Sequence, residues 1–487
     1  MSAYRAIFWS FLTQYALFGM SFVVSVVLAR LLGPHEMGIF SVAVALTILL
    51  QDVQGFSLNQ FIVREADLRP AHLRTAFGIS ITISAIFSVA LLIGAAPIAE
   101  FYGEPKIEMV LYILVLANLL FPIGLPAQAL LMREMRYRDL FVINITAVTV
   151  AAAIGIWLAA TQGIGALAQA WYVLVVAVVK SSLLLLYKPE HIRLRPSLEK
   201  WRAMTGFGSR MLGLSLTGSA MARGPDLIIG RLVNMVSVGL YSRASGITEQ
   251  AFRLLYPGGG GALFSLLAQR RNAGRDLTDP YFKAVAYFTA TIFPAFFALA
   301  LMAEPVIMLL YGQSWLEAAR ILQWLCLSQA IMSAAVTHYE MPVVMGRLDL
   351  LLASEATHLS LGLSIFVAMT WFWGIEGAAA GRVAHALIFV SVNLIVLRKL
   401  LGFPLRRLFS TLLRCMVAAA VTGLPALVVR LAYHSAPEQI PFGVMVGTAL
   451  LTGAAWLLGL KVAGHPLYHE VRGWMRGRLA AFQAAMR

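Results

Sequence analysis

Fourteen apolar stretches succeed one another along the chain, each of about the 20 residues needed to cross a hydrocarbon core as a helix. They cover 6–32, 37–61, 75–99, 107–131, 139–160, 164–187, 204–232, 236–264, 281–310, 317–345, 350–372, 375–397, 409–433 and 441–462. No water is present in lipid to satisfy a free backbone N–H or C=O, so segments of this kind fold as helices or closed barrels, and at this length they are helices. With 60% of residues hydrophobic, only 13% charged and a mean hydropathy of +0.79, the composition agrees. The expected fold is an all-α polytopic membrane protein of about fourteen transmembrane helices.

Charge in the connections tests that count independently, because cytoplasmic loops collect Lys and Arg. Alternate connections carry Arg64, Arg69 and Arg74; Arg133, Arg136 and Arg138; five basic residues between Lys188 and Arg202; Arg270, Arg271 and Arg275; Arg347; and Arg398, Lys399, Arg406 and Arg407. The connections between them are nearly bare of cations, which places both termini in the cytoplasm. The same distribution absorbs the net charge of +15, which in a soluble chain would invite a nucleic-acid reading. The run that follows Arg5 is too long for a signal-peptide core and is expected to remain as span 1.

The chain is also duplicated. Ala29-Arg30-Leu31 and Gly38-Ile39-Phe40 match Gly230-Arg231-Leu232 and Gly239-Leu240-Tyr241 at one offset of 201. Phe101-Tyr102-Gly103 after span 3 has a counterpart in Leu310-Tyr311-Gly312 after span 9, and Gly163 to Ala166 resembles Gly374 to Ala378. Each copy is therefore six helices, and because six is even both copies enter the membrane from the same side as parallel repeats. The expected domains are a six-helix lobe over 1–187, a linker over 188–203, a second six-helix lobe over 204–399, two extra helices over 400–462, and an amphipathic cytoplasmic tail over 463–487. In that tail Leu467, Val471, Trp474, Met475, Leu479, Phe482 and Met486 form one helical stripe, suited to an anionic leaflet surface.

Only the second copy is charged at depth. On span 8, Arg243, Gly246, Gln250, Arg253 and Pro257 recur at spacings of three and four, and on span 7 so do Ser215, Ser219, Arg223, Asp226 and Gly230. Such spacing puts each set on one helix face. At the offset of 201, Phe22, Ser25, Val42 and Ile48 stand where Arg223, Asp226, Arg243 and Glu249 stand in the second copy, so the fold does not require those charges. Asp52 aligns with Arg253; the two could meet as an opposite-charge pair across the copies, while the simpler reading of Asp52 is a plain polar residue near a helix end. Charge within a membrane is expensive unless it faces protein or water, and one Asp with one Glu does not neutralise three arginines. A local Arg223 to Asp226 pair and a snorkelling Arg231 are the competing structural readings.

Further polar residues expected at depth in the second lobe are Arg320, His338, Glu340, Glu355, His358, Arg382 and His385, of which the carboxylates and histidines could carry protons. Prolines 122, 126, 225, 294, 342 and 425 fall within spans, where they either interrupt or merely kink a helix. Cys326 and Cys415 lie in apolar runs with no paired spacing, which fits core cysteines. No phosphate-cradling glycine loop, nucleophile elbow or metal-ligand cluster is present, and the connections are too short for a catalytic domain, so no enzyme activity and no cofactor are expected.

The runs Leu28 to Leu46 and Ile228 to Ala244 resemble the prokaryotic polysaccharide transporter family, within the superfamily of the multidrug and toxin extrusion antiporters and the lipid II flippase. Arg30, Leu31, Leu32, Pro34 and Gly38 fit the first-copy pattern, and Asp226, Gly230, Gly239 and Tyr241 the second; Glu36 and Met37 stand where the family often has Asp and an aromatic. The resemblance implies two lobes around a cationic lumen, alternating access, and translocation of polyprenyl-diphosphate-linked oligosaccharide across the bacterial inner membrane for surface polysaccharide, lipopolysaccharide or exopolysaccharide, export. It implies membrane lipids and other polysaccharide-assembly proteins as partners. Substrate binding is then expected from Arg223, Asp226, Arg243, Glu249, Gln250, Arg253 and Asp52, the arginine fork being matched to phosphate oxygens. A multidrug cation antiporter, or a membrane-embedded glycan polymerase or ligase, are the alternatives; the first would favour a lumen of carboxylates and aromatics, and the second a sizeable outer loop.

Overall fold

The computed structural model describes residues 3–64, 69–188, 196–199, 201–256 and 259–473. Within them the ordered elements are helices: α1 (Ala3–Arg64), α2 (Pro70–Tyr102), α3 (Lys106–Arg133), α4 (Tyr137–Thr161), α5 (Ala166–Tyr187), α6 (Trp201–Leu232), α7 (Met235–Leu255), α8 (Gly259–Asn272), α9 (Thr278–Leu301), α10 (Ala303–Leu310), α11 (Ala318–Met332), α12 (Glu340–Val344), α13 (Leu348–Leu401), α14 (Leu405–Ala432) and α15 (Phe442–Val462). Among the described residues ten segments are long and apolar enough to cross a membrane. Two of these, α1 and α13, run 62 and 54 residues and are each two crossings joined at a break, at Gly33 and at Trp373-Gly374. With α6 and α7 the crossings number fourteen among the described residues, and the chain is a multi-pass membrane protein.

Two further breaks occur beside prolines. A proline lacks its own N–H and its ring crowds the carbonyl four residues back. Pro305 thereby frees the carbonyl of Leu301, and the expected span 281–310 divides at Met302 into α9 and α10. The span expected over 317–345 is likewise discontinuous: α11 ends at Met332, a 3₁₀ turn covers Ser333–Ala335, and α12 begins only at Glu340, with Pro342 opposite the carbonyl of His338. By contrast Pro122, Pro126, Pro225, Pro294 and Pro425 all sit inside uninterrupted helices. Pro257 lies outside the described residues, between α7 and α8.

The helices pack into two compact units that divide between Ser242 and Arg243, within α7. In the first unit the duplication becomes a physical contact. Ser41 donates to Ser242 across 3.0 Å, and these residues are 201 apart. Gly38 lies so close to the backbone of Met235 that an added Cβ would stand 1.8 Å from its carbonyl oxygen, and Gly239 meets Pro34 in the same way at 1.9 Å. Met235 and Gly239 are Pro34 and Gly38 shifted by the same 201 residues. The two contacts are thus images of each other, as a local pseudo-twofold axis through Ser41 and Ser242 requires. Gly230 continues the crossing, lodged against Val42 and Tyr102, and the Tyr102 hydroxyl donates to the Leu227 carbonyl at 3.2 Å.

At the end of this unit that carries the Gly33 break, Glu36 gathers three chain segments. It accepts from the Ala166 N–H at 2.8 Å, the start of α5, and from the Lys106 ammonium at the start of α3. Beside it His35 contacts Glu104 at 2.9 Å. The second unit is built on an aromatic and aliphatic core including Tyr281, Phe282, Val285, Met341 and Phe403. Cys326 and Cys415 are buried free thiols.

Candidate functional site

The sequence candidates divide between the units, Arg223 and Asp226 in the first and Arg243, Glu249, Gln250 and Arg253 in the second. The side chain of Asp52 lies outside the described residues. Uninterrupted helix through 201–232 and 235–255 keeps each set in register on one face. Asp226 is buried at 4% exposure, while Arg223, Arg243, Glu249 and Gln250 are half-buried and Arg253 is exposed. Among the described residues Arg223 forms no ion pair with Asp226, and neither Arg223, Glu249 nor Arg253 has a hydrogen-bonding or ionic partner. The local-pair reading therefore does not hold for Arg223. The carbonyl-type oxygen of Gln250 is buried and equally unsatisfied. Buried polar atoms are normally bonded to protein or water, so the Gln250 oxygen on α7 is open to a water or ligand donor. Arg231 behaves as a surface residue, exposed with its guanidinium 4.7 Å from the centre of the Phe101 ring.

A second group of polar side chains lies entirely in the second unit. Tyr256, just past the end of α7, donates to Glu340 at 3.2 Å, tying the end of the α7 stripe to the start of α12. Two residues earlier, in the non-helical turn, His338 directs Nδ1 to the Ala335 carbonyl at 3.1 Å and presents Nε2 to Glu355 at 3.9 Å. The other oxygen of Glu355 bonds His358 Nε2 at 3.0 Å, and the His358 and His385 rings are 5.7 Å apart. His358 and His385 are 3% and 2% exposed, and three of their four ring nitrogens have no partner among the described residues. Gly362 makes room for this packing, since a Cβ there would fall 2.1 Å from His385 Cδ2.

What unites these residues is the fold. His358 and His385 sit on the two halves of α13, which the Gly374 break turns back on itself. Among the described residues no three His, Cys, Asp or Glu side chains converge on a metal-binding geometry; imidazoles beside a carboxylate are groups able to take up and release protons. Arg320, expected at depth, is instead 73% exposed and paired with Glu376 at 2.7 Å. It lies in the first turn of α11, where the helix has only just begun, and so reaches the surface. The first unit contributes one side chain that the spacing patterns passed over: Lys180, which lines a cavity of about 190 Å³ with Gln128 and Gly124. Its signal was a lone cation seven residues inside the end of span 6.

Comparison with known proteins places these features in context. A family model described as polysaccharide biosynthesis protein matches residues 27–320, well over half of the chain. The chain is 26% identical over 336 residues to the succinoglycan biosynthesis transport protein ExoT of Rhizobium meliloti, covering 68% of this chain and 67% of that one. It is 22% identical over 400 residues to the lipopolysaccharide biosynthesis protein WzxC of Escherichia coli, covering 80% and 77% of the two chains. Among solved structures, the inward closed conformation of the lipid II flippase MurJ superposes with a TM-score of 0.76 over 96% of this chain and 99% of that one, at 11% identity. An inward-facing multidrug resistance MATE family transporter superposes with a TM-score of 0.61 over 79% of this chain and 94% of that one, at 15% identity. At such identities the superpositions speak to fold.

Proposed function

Because the chain belongs to the polysaccharide biosynthesis protein family, we propose that it is a flippase, not an enzyme, translocating a polyprenyl-diphosphate-linked oligosaccharide from the cytoplasmic to the outer leaflet of a bacterial inner membrane by alternating access. Both termini lie in the cytoplasm in this reading, as the loop cations require. The supporting observation is the set of cationic side chains on membrane helices that lack carboxylate partners, Arg223 and Arg253 foremost. A diphosphate supplies the missing charge, and the planar guanidinium fork binds its oxygens in pairs. Arg223, Arg243 and Arg253 are assigned to the headgroup. Asp226, Glu249, Gln250 and Asp52 are assigned to orienting the arginines or bonding sugar hydroxyls, while the polyprenyl tail stays in lipid.

Replacing each arginine by Gln is expected to abolish surface polysaccharide while the protein remains in the membrane. Normal polysaccharide from the triple variant refutes the assignment. A multidrug cation antiporter shares the fold, but organic cations need carboxylates, and on this face arginine is in excess. The His338, Glu355, His358 and His385 group supports proton coupling as the driving force; transport in proteoliposomes that is indifferent to an imposed pH gradient removes that part of the proposal.

A further inference from the structure

The second unit holds a cavity of about 1130 Å³ that neither the arginine stripe nor the histidine group reaches. Its walls are α8, the first four turns of α9, the first three turns of α14, and the segment His465 to Leu467 after α15. Arg270, Lys283, Arg407 and Arg414 line it against one carboxylate, Asp279. That carboxylate is taken: Arg407 bonds it at 2.6 Å and also covers the Phe282 ring at 4.3 Å. The other acid close by, Glu470, accepts from the Tyr287 hydroxyl at 2.5 Å. Arg270, Lys283 and Arg414 are left without an anionic partner among the described residues.

The cavity is graded from charged to apolar. Lys283 lies five residues into α9 and Arg414 nine residues into α14, roughly 8 and 14 Å from the helix starts. Beyond them the walls are Leu255, Leu263, Leu266 and Phe288. A ligand that satisfies both ends carries phosphate at the membrane surface and hydrocarbon beneath it. The cations cluster at one face, cytoplasmic in the orientation proposed above, where resident phospholipid is in large excess over any carrier. A headgroup in transit has to leave that face, whereas the cations of this cavity all lie at the last turn of α8 and within the first three turns of α9 and α14. Half of its walls, α14 and the segment after α15, also stand outside the duplicated helices.

We propose that this cavity binds one anionic phospholipid of the surrounding bilayer, its phosphate held by Arg270, Lys283 and Arg414 and its acyl chains laid against Leu263, Leu266 and Phe288. The lipid then braces α8 against α9 and α14. Each cation near a membrane surface is worth about a fivefold change in affinity for an anionic lipid, so removing three is expected to weaken binding about 100-fold.

The test is native mass spectrometry of the purified full-length chain titrated with phosphatidylglycerol or phosphatidylcholine. One phosphatidylglycerol is expected to be retained at concentrations where phosphatidylcholine is not. The Arg270→Gln/Lys283→Gln/Arg414→Gln variant should lose it, the Arg270→Lys/Arg414→Lys variant should keep it, and Arg398→Gln/Lys399→Gln, cations outside the cavity, should behave as the parent. Should the triple Gln variant not fold, the two paired variants decide the question alone. Equal retention of both lipids, loss of binding in the Arg398/Lys399 variant, or loss in the Lys variant overturns the proposal. So does displacement of phosphatidylglycerol by polyprenyl diphosphate at substoichiometric amounts, which assigns the cavity to the carrier lipid instead.

Discussion

The reciprocal glycine contacts of the first unit make a demanding prediction. In Gly38→Ala the new Cβ would begin 1.8 Å from the Met235 oxygen, and in Gly239→Ala 1.9 Å from the Pro34 oxygen, whereas ordinary contact starts at 3.4 Å. The shortfalls are therefore 1.6 Å and 1.5 Å. The obstacles are backbone carbonyls, which cannot swing aside like the end of a side chain, so α1 and α7 must separate at their crossing. Overpacking of this kind costs about 2–3 kcal/mol per site, at the upper end of the usual range. Both substitutions are relieved by the same separation of the same two helices, so the double variant should be destabilised by less than the sum of the singles, with a shortfall of about 1 kcal/mol or more. Gly218→Ala is the control: it also sits inside a helix but has nothing within 4 Å, and should gain up to about 1 kcal/mol from helix propensity. Apparent melting temperatures of the four purified variants in detergent measure the order. If Gly38→Ala and Gly239→Ala melt with Gly218→Ala, or if their losses simply add, the reasoning from a shared crossing is wrong.

Two further outcomes follow from loop chemistry. Glu36→Ala leaves the Ala166 N–H at the start of α5 without its acceptor and should destabilise the first unit by about 1–2 kcal/mol, as loss of a helix cap does, while Glu36→Gln, which can still accept that bond, should recover most of it in the same melting assay. In the α8 to α9 connection, the Thr278 N–H and hydroxyl bond Asp276 at 3.1 and 2.9 Å and hold its carboxyl below the usual aspartate range. A carboxyl depressed on folding stabilises the fold above its ordinary titration range and loses that contribution as pH falls through its lowered value. Asp276→Asn should therefore melt below the parent at neutral pH, with the difference closing in acid.

Much of the architecture was legible because a bilayer leaves the backbone so few options. Helix was forced at every apolar run, and the alternation of Arg-rich and bare connections gave an independent count of crossings. The breaks were less legible. Six prolines looked equivalent along the chain, yet Pro342 alone among them falls at a break among the described residues, while Pro305, which was not singled out, splits span 9. Whether a freed carbonyl finds another partner depends on neighbouring helices, and that is tertiary information. The arginine stripe was readable from spacings of three and four. The histidine group was readable only as separate residues, because its members lie up to 47 positions apart, from His338 to His385, and meet through the turn-back in α13. Glu36 showed itself only as an unusual choice beside Met37; its bond to a helix start 130 residues away could not be seen from its neighbours.

The meeting of Ser41 with Ser242 has a meaning in symmetry as well as a mechanical one. A residue that touches its own duplicate is what a symmetric pair of identical chains would show on its axis, an isologous contact. The crossing therefore has the form of a seam between two identical chains, although one chain supplies both sides. At the seam both halves must keep small residues, because a change on either side is felt by both backbones. Away from it the two runs differ: Phe22, Val42 and Ile48 stand where the second run has Arg223, Arg243 and Glu249. An assembly of identical chains is denied that asymmetry, since every charge placed in one subunit appears in both.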